Sequence, residues 1–594
     1  NAELTKAQQS LKQAQAAVKA AKTPEQKAVA QKAVQDAKSN VAKAEAGYRK
    51  ATADANVAET KQNVARADAA HQAAIRNGDA KLQEVTKSNL SAAKSAETAA
   101  VGVAQAEANY AKAVESGNEA QIAAARAKLD TANAVNDKAQ AMQVKTEADV
   151  KATAAKQVVA QAEAKYEQAK QSGDTVVQTA AKSQLDMAKA HAATADANAQ
   201  KVAANTNLTQ AKQELSQAQA AVKAAKTPEE KAAAQAQVKS AKQSVAKSES
   251  GYRKVSAEAK VAEAKQGVAT ATANHQAAVA SGNQQAQAVA KSQMAVANSQ
   301  LDKAQAEYKQ TGATVRAENT AKAVQQAQAE YDRAVVSGNT EQISAAGAKL
   351  EAAKDANVQA QVIRDNANAN VTLAKARQNE AKAEAAYQAA VASGNPTVQA
   401  AAKADLDSAK NSVTQAAAAR NAVSASGKVE MAQRDVANAK SALTKAEAGG
   451  NKAQIDAAKA NLATAQQGAR AAVAAERVAV SAAGVVSAKQ GQATASANYQ
   501  AAMQSGSKQE QAVAKANLDA ANSGVDLANA QHKAAVADNN VTTAMQNAQR
   551  AEAAYHQASG SEKAVAKAQM ETAQSAVQVA KAEQVVAHAG VQVA

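Results

Sequence analysis

The sequence contains no cysteine, phenylalanine or tryptophan, and it has only 3 prolines and 9 tyrosines among 594 residues. Without cysteine, the chain forms no disulfide and offers no thiolate to a metal ion. With so few aromatic side chains, it has little to line a deep substrate pocket or to stack on nucleic-acid bases. Because no run of 18 consecutive apolar residues occurs, we expect no transmembrane segment.

What the sequence has in abundance is alanine, which supplies most of the 46% of residues that are hydrophobic. A methyl group buries little apolar area, so thick cores are excluded and stability must come from many close, repeated contacts. Alanine, lysine, glutamine and glutamate are strong helix formers. The composition therefore predicts an all-α fold, an antiparallel array of long, coiled-coil-like helices, and it resembles that of alanine-rich coiled-coil structural proteins.

Internal repetition is the strongest pattern. The segment from Leu11 recurs from Leu215, an offset of 204 residues that also relates Tyr48 to Tyr252. A glycine, in most cases followed by Asn or Asp, returns mostly every 56 residues, and Thr-Pro occupies two positions where this series lacks a glycine. Glycine ends helices and Asn, Asp or Thr caps the next one. Turns are thus predicted near residues 23, 78, 117, 173, 227, 282, 338, 394, 450, 506 and 560.

Apolar residues between the turns follow a heptad-like spacing of three and four. The stripe shifts by two residues midway through each segment, as between Val413 and Val429. In a continuous helix this shift moves the stripe to the opposite face. Each segment is therefore either one long helix that packs on different neighbours in its two halves, which we favour, or a hairpin with a turn near Gly312, Gly427 or Asn539-Asn540.

The predicted organisation has three parts. Residues 1–22 form an N-terminal half helix, residues 23–560 form ten helical repeat segments, and residues 561–594 form a C-terminal half helix. Together the half helices equal about one full segment, and neither completes a layer alone. We expect a homopolymer in which the terminal half helices of successive subunits fill one layer.

No catalytic, cofactor-binding or metal-ligating residues are predicted. His191, His532, His556 and His588 have no partner at metal-ligand spacing. At the position seven residues before a turn glycine, His71 and His275 stand where other repeats have tyrosine, which favours packing beside the turn. Asp405 and Asp407 fall on different helix faces and are interpreted as surface charge. We therefore expect no enzyme, no cofactor and no small-molecule substrate.

The formal net charge of +16 is compatible with anionic envelope or matrix polymers as partners. Basic residues are interleaved with acidic ones, and no specific nucleic-acid binding is expected. A chain that begins at Asn1 without Met is typical of a mature form after signal removal, which favours an extracellular or cell-surface location. The pattern predicts a secreted structural protein that self-assembles head-to-tail into a filament, sheet or surface layer. An adhesin stalk or spacer that binds anionic surfaces and an intracellular cationic coiled-coil scaffold remain alternatives.

Overall fold

A computed structural model describes residues 2–505, 507–560 and 562–594. Helices account for 95% of the chain, and the described residues contain no β-strand, so the predicted all-α array of long helices is confirmed. The described residues form twelve helices: α1 (Ala2–Ala20), α2 (Pro24–Arg76), α3 (Ala80–Ser116), α4 (Glu119–Gln171), α5 (Thr175–Ala224), α6 (Pro228–Ala280), α7 (Gln284–Ser337), α8 (Thr340–Ser393), α9 (Pro396–Gly449), α10 (Lys452–Ser505), α11 (Lys508–Gln557) and α12 (Glu562–Val593).

The turns have the predicted stop and start chemistry. At the end of α3, Gly117 adopts the left-handed conformation (φ 68°) and its N–H donates to Val114 O. Asn118 then caps α4 by accepting a hydrogen bond from the backbone N–H of Gln121 (3.1 Å). The predicted turn at Gly506 lies outside the described residues, as does Asn1.

Each segment between turns is one continuous helix, so the alternative of a turn at each midpoint is wrong. Gly312 lies within α7, Gly427 within α9, and Asn539 and Asn540 lie within α11. A single interior glycine costs a helix only about 1 kcal/mol. The neighbouring helices that pack along these rods offset such a penalty.

The chain divides into two compact units, residues 1–277 and 278–594. Within the second unit, the described residues of α7 to α12 pack consecutively, each helix against its neighbours in the chain. In the first unit, α1 to α5 pack in the same consecutive manner, and hydrogen bonds join α5 to α6. Each unit is therefore built as a row of helices in chain order.

The two-residue shift of the apolar stripe now has a structural reason. In α9, Val413 packs on α8, beside a cluster of Leu373, Ala376 and Ala416. Val429 is also buried but projects about 160° away from Val413 at 100° per residue, and the other neighbour of α9 is α10. The first half of the helix thus directs its large apolar residues to the preceding helix and the second half to the following one.

The cores between helices are thin and built mainly of alanine, among them Ala46, Ala93, Ala96 and Ala360, which are at most 1% exposed. The chain exposes 34743 Å², whereas two compact globules of half its mass would together expose about 23,000 Å². A row of helices explains the difference, because each inner helix buries only the two sides that face its neighbours.

Candidate interaction surfaces

The histidines considered in the sequence do not converge on a site. His71 lies beside the turn between α2 and α3, where its Nδ1 is 3.1 Å from Thr86 Oγ1. His532 contacts Ser481 through Nδ1 (3.0 Å), and His588 contacts Asp538. Among the described residues, no group of three or more His, Asp or Glu side chains is arranged to hold a metal ion. These side chains join neighbouring helices instead.

Tyr110 serves as a packing and contact residue. Tyr110 packs against the cluster formed by Ala53, Val103 and Leu129 of three successive helices. The guanidinium of Arg49 lies over its ring, 5.5 Å from the centroid. Of the two aspartates judged to be surface charge, Asp407 pairs with exposed Lys403 at 2.9 Å.

Polar side chains occupy the parts of the interfaces that lie far from the connecting turns. Thr146 of α4 donates to Asn89 of α3 (2.9 Å), and Gln310 of α7 donates to Asn368 of α8 (2.8 Å). In these two interfaces, amide and hydroxyl groups therefore contact each other across the half that lies far from the turn. Sequence reasoning missed these residues, because an Asn or Thr on a helix looks like solvated surface until its partner helix is known.

The largest of these polar clusters joins α8 and α9. Arg434 of α9 forms ion pairs with Glu351 and Asp355 of α8, and Asn438 donates to Asp355 Oδ2 (3.0 Å). Hydrogen bonds from Lys354 and Arg434 hold the pKa of Glu351 below its ordinary value. The Arg434 side chain is only 20% exposed, so this cluster fixes the register of the two helices.

Among the described residues, Glu107 of α3 is a buried carboxylate whose position is costly. Its Oε1 lies 3.5 Å from Arg49 Nε of α2, but its buried Oε2 has no hydrogen-bond partner among the described residues. Burial raises the pKa of Glu107 above its ordinary value, and the charge of Arg49 opposes this effect only partly. We interpret Glu107 as a packing residue whose buried charge is only partly compensated.

At the other end of the chain, Asp538 holds α12 on α11. Its Oδ1 accepts from Gln584 Nε2 (2.7 Å) and lies 2.8 Å from His588 Nε2. Although burial alone would raise its pKa, hydrogen bonds from His588 and Gln584 and the nearby charge of Arg477 hold the pKa of Asp538 below its ordinary value.

Helix α12 exposes a series of valine side chains along its length. The inner seam of this helix, which includes Ala566 and Ala580, is buried on α11. Away from that seam, five valines are between 59% and 89% exposed: Val565, Val579, Val585, Val586 and Val593. Ala582 and Val586 also line an open groove between α11 and α12. Such a concentration of exposed valine on one helix is typical of an interaction surface.

One helix, α10, is long and apolar enough by composition to cross a membrane, with a window of mean hydropathy 1.4 between Lys452 and Gln504. This finding qualifies the sequence-based expectation of no such segment. In the structure α10 packs between α9 and α11, and Gln492 of α10 donates to Asn522 of α11 (2.7 Å). These polar contacts favour a helix of the row, because a bilayer would bring the polar neighbours into hydrocarbon.

Comparison with known proteins found no matching family, no similar curated protein and no similar solved structure.

Proposed function

We propose that this chain is a secreted structural repeat protein that self-assembles head-to-tail into an extracellular filament, sheet or matrix layer. The observation that carries the proposal is α12, which packs on α11 alone among the described helices and exposes five valines. Another helix that covered those valines would gain about 25 cal/mol for each Å² of apolar surface removed from water.

The row architecture supports the same role. Interfaces made of alanine methyls and scattered polar pairs can be repeated without limit along a row, and a subunit edge resembles an internal interface that lacks its second helix. The net charge of +16 would favour adhesion to anionic envelope or matrix polymers. In this function the chain is not an enzyme, and the contacts between helices carry the mechanical load.

Electron microscopy of the purified chain in negative stain, together with sedimentation velocity over a concentration series, tests this proposal. We expect regular filaments or sheets and a sedimentation coefficient that rises with concentration. A dispersed monomer at all concentrations would overturn the proposal and favour a spacer or stalk. Affinity for DNA that falls steeply with salt would instead favour an intracellular cationic scaffold.

A further inference from the structure

The α5–α6 interface gives an internal template for contacts between copies. Thr194 Oγ1 of α5 donates to Ala262 O of α6 (3.1 Å), and Ser183 donates to Gln276 on the same pair of helices. The first half of α5 therefore lies on the second half of α6. The second half of α5 continues along the first half of α6, beside Ser244 and Ser248.

The 204-residue duplication relates α6 to α2. Ala262 lies on the side of α6 that faces α5. The residues at heptad spacing from it on the same side are Tyr252, Val255, Ala259, Gln266, Ala269, Ala273 and Gln276, and with Ala262 they form a stripe of eight. The corresponding residues of α2 are Tyr48, Ala51, Ala55, Ala58, Gln62, Ala65, Ala69 and Gln72, and seven of the eight are identical. We call these α2 residues the α2 outer stripe.

The two equivalent stripes differ in exposure. On α6 the stripe is half-buried or buried at every position except Gln276, whereas every residue of the α2 outer stripe is exposed. The duplication explains the difference, because α1 (Ala2–Ala20) is the counterpart of the last part of α5, residues 206–224. Hence α1 covers the first half of α2. On the second half of α2, no described helix takes the place that the first half of α5 has on α6.

Helix α12 has the length needed to cover the second half of α2, and among the described helices it packs only on α11. It has 32 residues, and the first part of α5 that α1 does not duplicate runs from residue 175 to residue 205. The α5 seam that includes Ala192 and Ala199 and the α12 seam that includes Ala580 and Ala587 both repeat every seven residues. When Ala580 is superposed on Ala192, Ala582 takes the place of Thr194. Ala582 is exposed.

We propose that α12 of one copy packs on the α2 outer stripe of a second copy, in the way that the first half of α5 packs on α6. This inference rests on the proposed function and specifies its interface. In this arrangement α12 of one copy and α1 of the next lie end to end on the same α2, so that each contact repeats the geometry of an internal layer. The contact is heterologous, and copies therefore add in one direction.

Cysteine cross-linking tests the interface directly, because the chain contains no native cysteine. The test variant carries Ala58→Cys and Ala582→Cys. The matched positive control carries Thr194→Cys and Ala262→Cys, which are the equivalent positions within one chain. A chain with Ala28→Cys and Ala582→Cys gives the background, since Ala28 is exposed on α2 outside the outer stripe. Replacing Ala582 with Ser575 or Ala589 in the test pair samples registers one heptad away.

Under mild oxidation we expect the control pair to close within the monomer and the test pair to give a ladder of covalent multimers, well above the Ala28 background. Filaments in the microscope without a ladder in any of the three registers would overturn this interface and leave the proposed function intact. The absence of both filaments and a ladder would overturn both.

Discussion

Val362 of α8 lies directly over Gly427 of α9: a Cβ built on Gly427 would come within 2.5 Å of Val362 Cγ1. Gly427 has helical neighbours on both sides and is buried. The glycine at this position therefore allows the close approach of two helices and does not form a turn. It allows the β-branched valine of the polar half of this interface to sit against backbone.

Replacing Gly427 with alanine should weaken the α8–α9 pair. The added methyl cannot fit unless Val362 or the helix moves, and overpacking of this kind costs about 1–3 kcal/mol, more than the gain of about 1 kcal/mol in helix propensity. Hydrogen exchange of the α8 and α9 amides measures the effect. Gly312→Ala is the control, because an added Cβ there meets nothing within 4 Å, and it should leave protection equal or higher. Equal protection in both variants would contradict the packing argument.

Arg434→Met should destabilise the same helix pair by about 1–3 kcal/mol. The substitution keeps the apolar stem and removes the guanidinium, so that Glu351 and Asp355 lose the charge that compensates their partial burial. Urea unfolding followed by circular dichroism measures the change. The control Lys403→Met breaks an exposed pair with Asp407, and the loss should be clearly smaller because solvent screens that pair. Similar losses in both variants would refute a special role for Arg434.

Because of Glu107, the free energy of unfolding should rise as the pH is lowered. Because its pKa is raised in the folded state, the folded protein binds a proton more readily than the unfolded chain. The stability contributed by this group is therefore lost as the pH rises through the folded pKa. It is recovered as the pH falls towards 4.5, the ordinary pKa of glutamate. Glu107→Gln should flatten this slope in melting curves taken between pH 4.5 and 8. A slope that remains unchanged would show that Glu107 is not its source.

The order and bounds of the helices were predictable because their signals are local. Asn118 and Gly117 carry the chemistry of a cap and a stop wherever they occur, and the helix between two such signals needs no information from other helices. The two-residue shift at Val413 and Val429 also indicated that a continuous helix must use two opposite faces. Which helix each face meets followed only from the row arrangement.

The polar contacts were not predictable for the same reason. Arg434 and Asp355 are 79 residues apart in sequence, and nothing near either residue indicates the other. Similarly, Tyr48 and Tyr252 both lie in a Gly-Tyr-Arg-Lys sequence, yet one is exposed and the other half-buried. A covering helix is present over Tyr252 and absent over Tyr48 among the described residues, and that is a property of the tertiary structure.

Asp538→Asn should loosen α12. The carboxylate accepts from Gln584 and contacts His588, and its lowered pKa means that it contributes stability above its unfolded pKa of about 3.8, which is lost as the pH falls through the folded value. Hydrogen exchange at pH 7 should show less protection in α12 and unchanged protection in α8. Glu571→Gln, at an exposed pair with Lys567, serves as the control, and equal loosening in both would contradict the assignment.

A charge introduced at the proposed contact between copies gives the sharpest test of assembly. Ala58 of α2 and Ala582 of α12 are both exposed, so Ala58→Glu should leave the helical content of the monomer unchanged. At an interface the buried charge should raise the concentration needed for assembly by about tenfold or more, equivalent to about 1.4 kcal/mol or more. Adding Ala582→Lys should restore part of the loss, while Ala28→Glu should change nothing. If Ala58→Glu assembles at the same concentration as the native chain in sedimentation velocity, α12 does not pack on the α2 outer stripe; if Ala582→Lys fails to compensate, the two residues do not face each other.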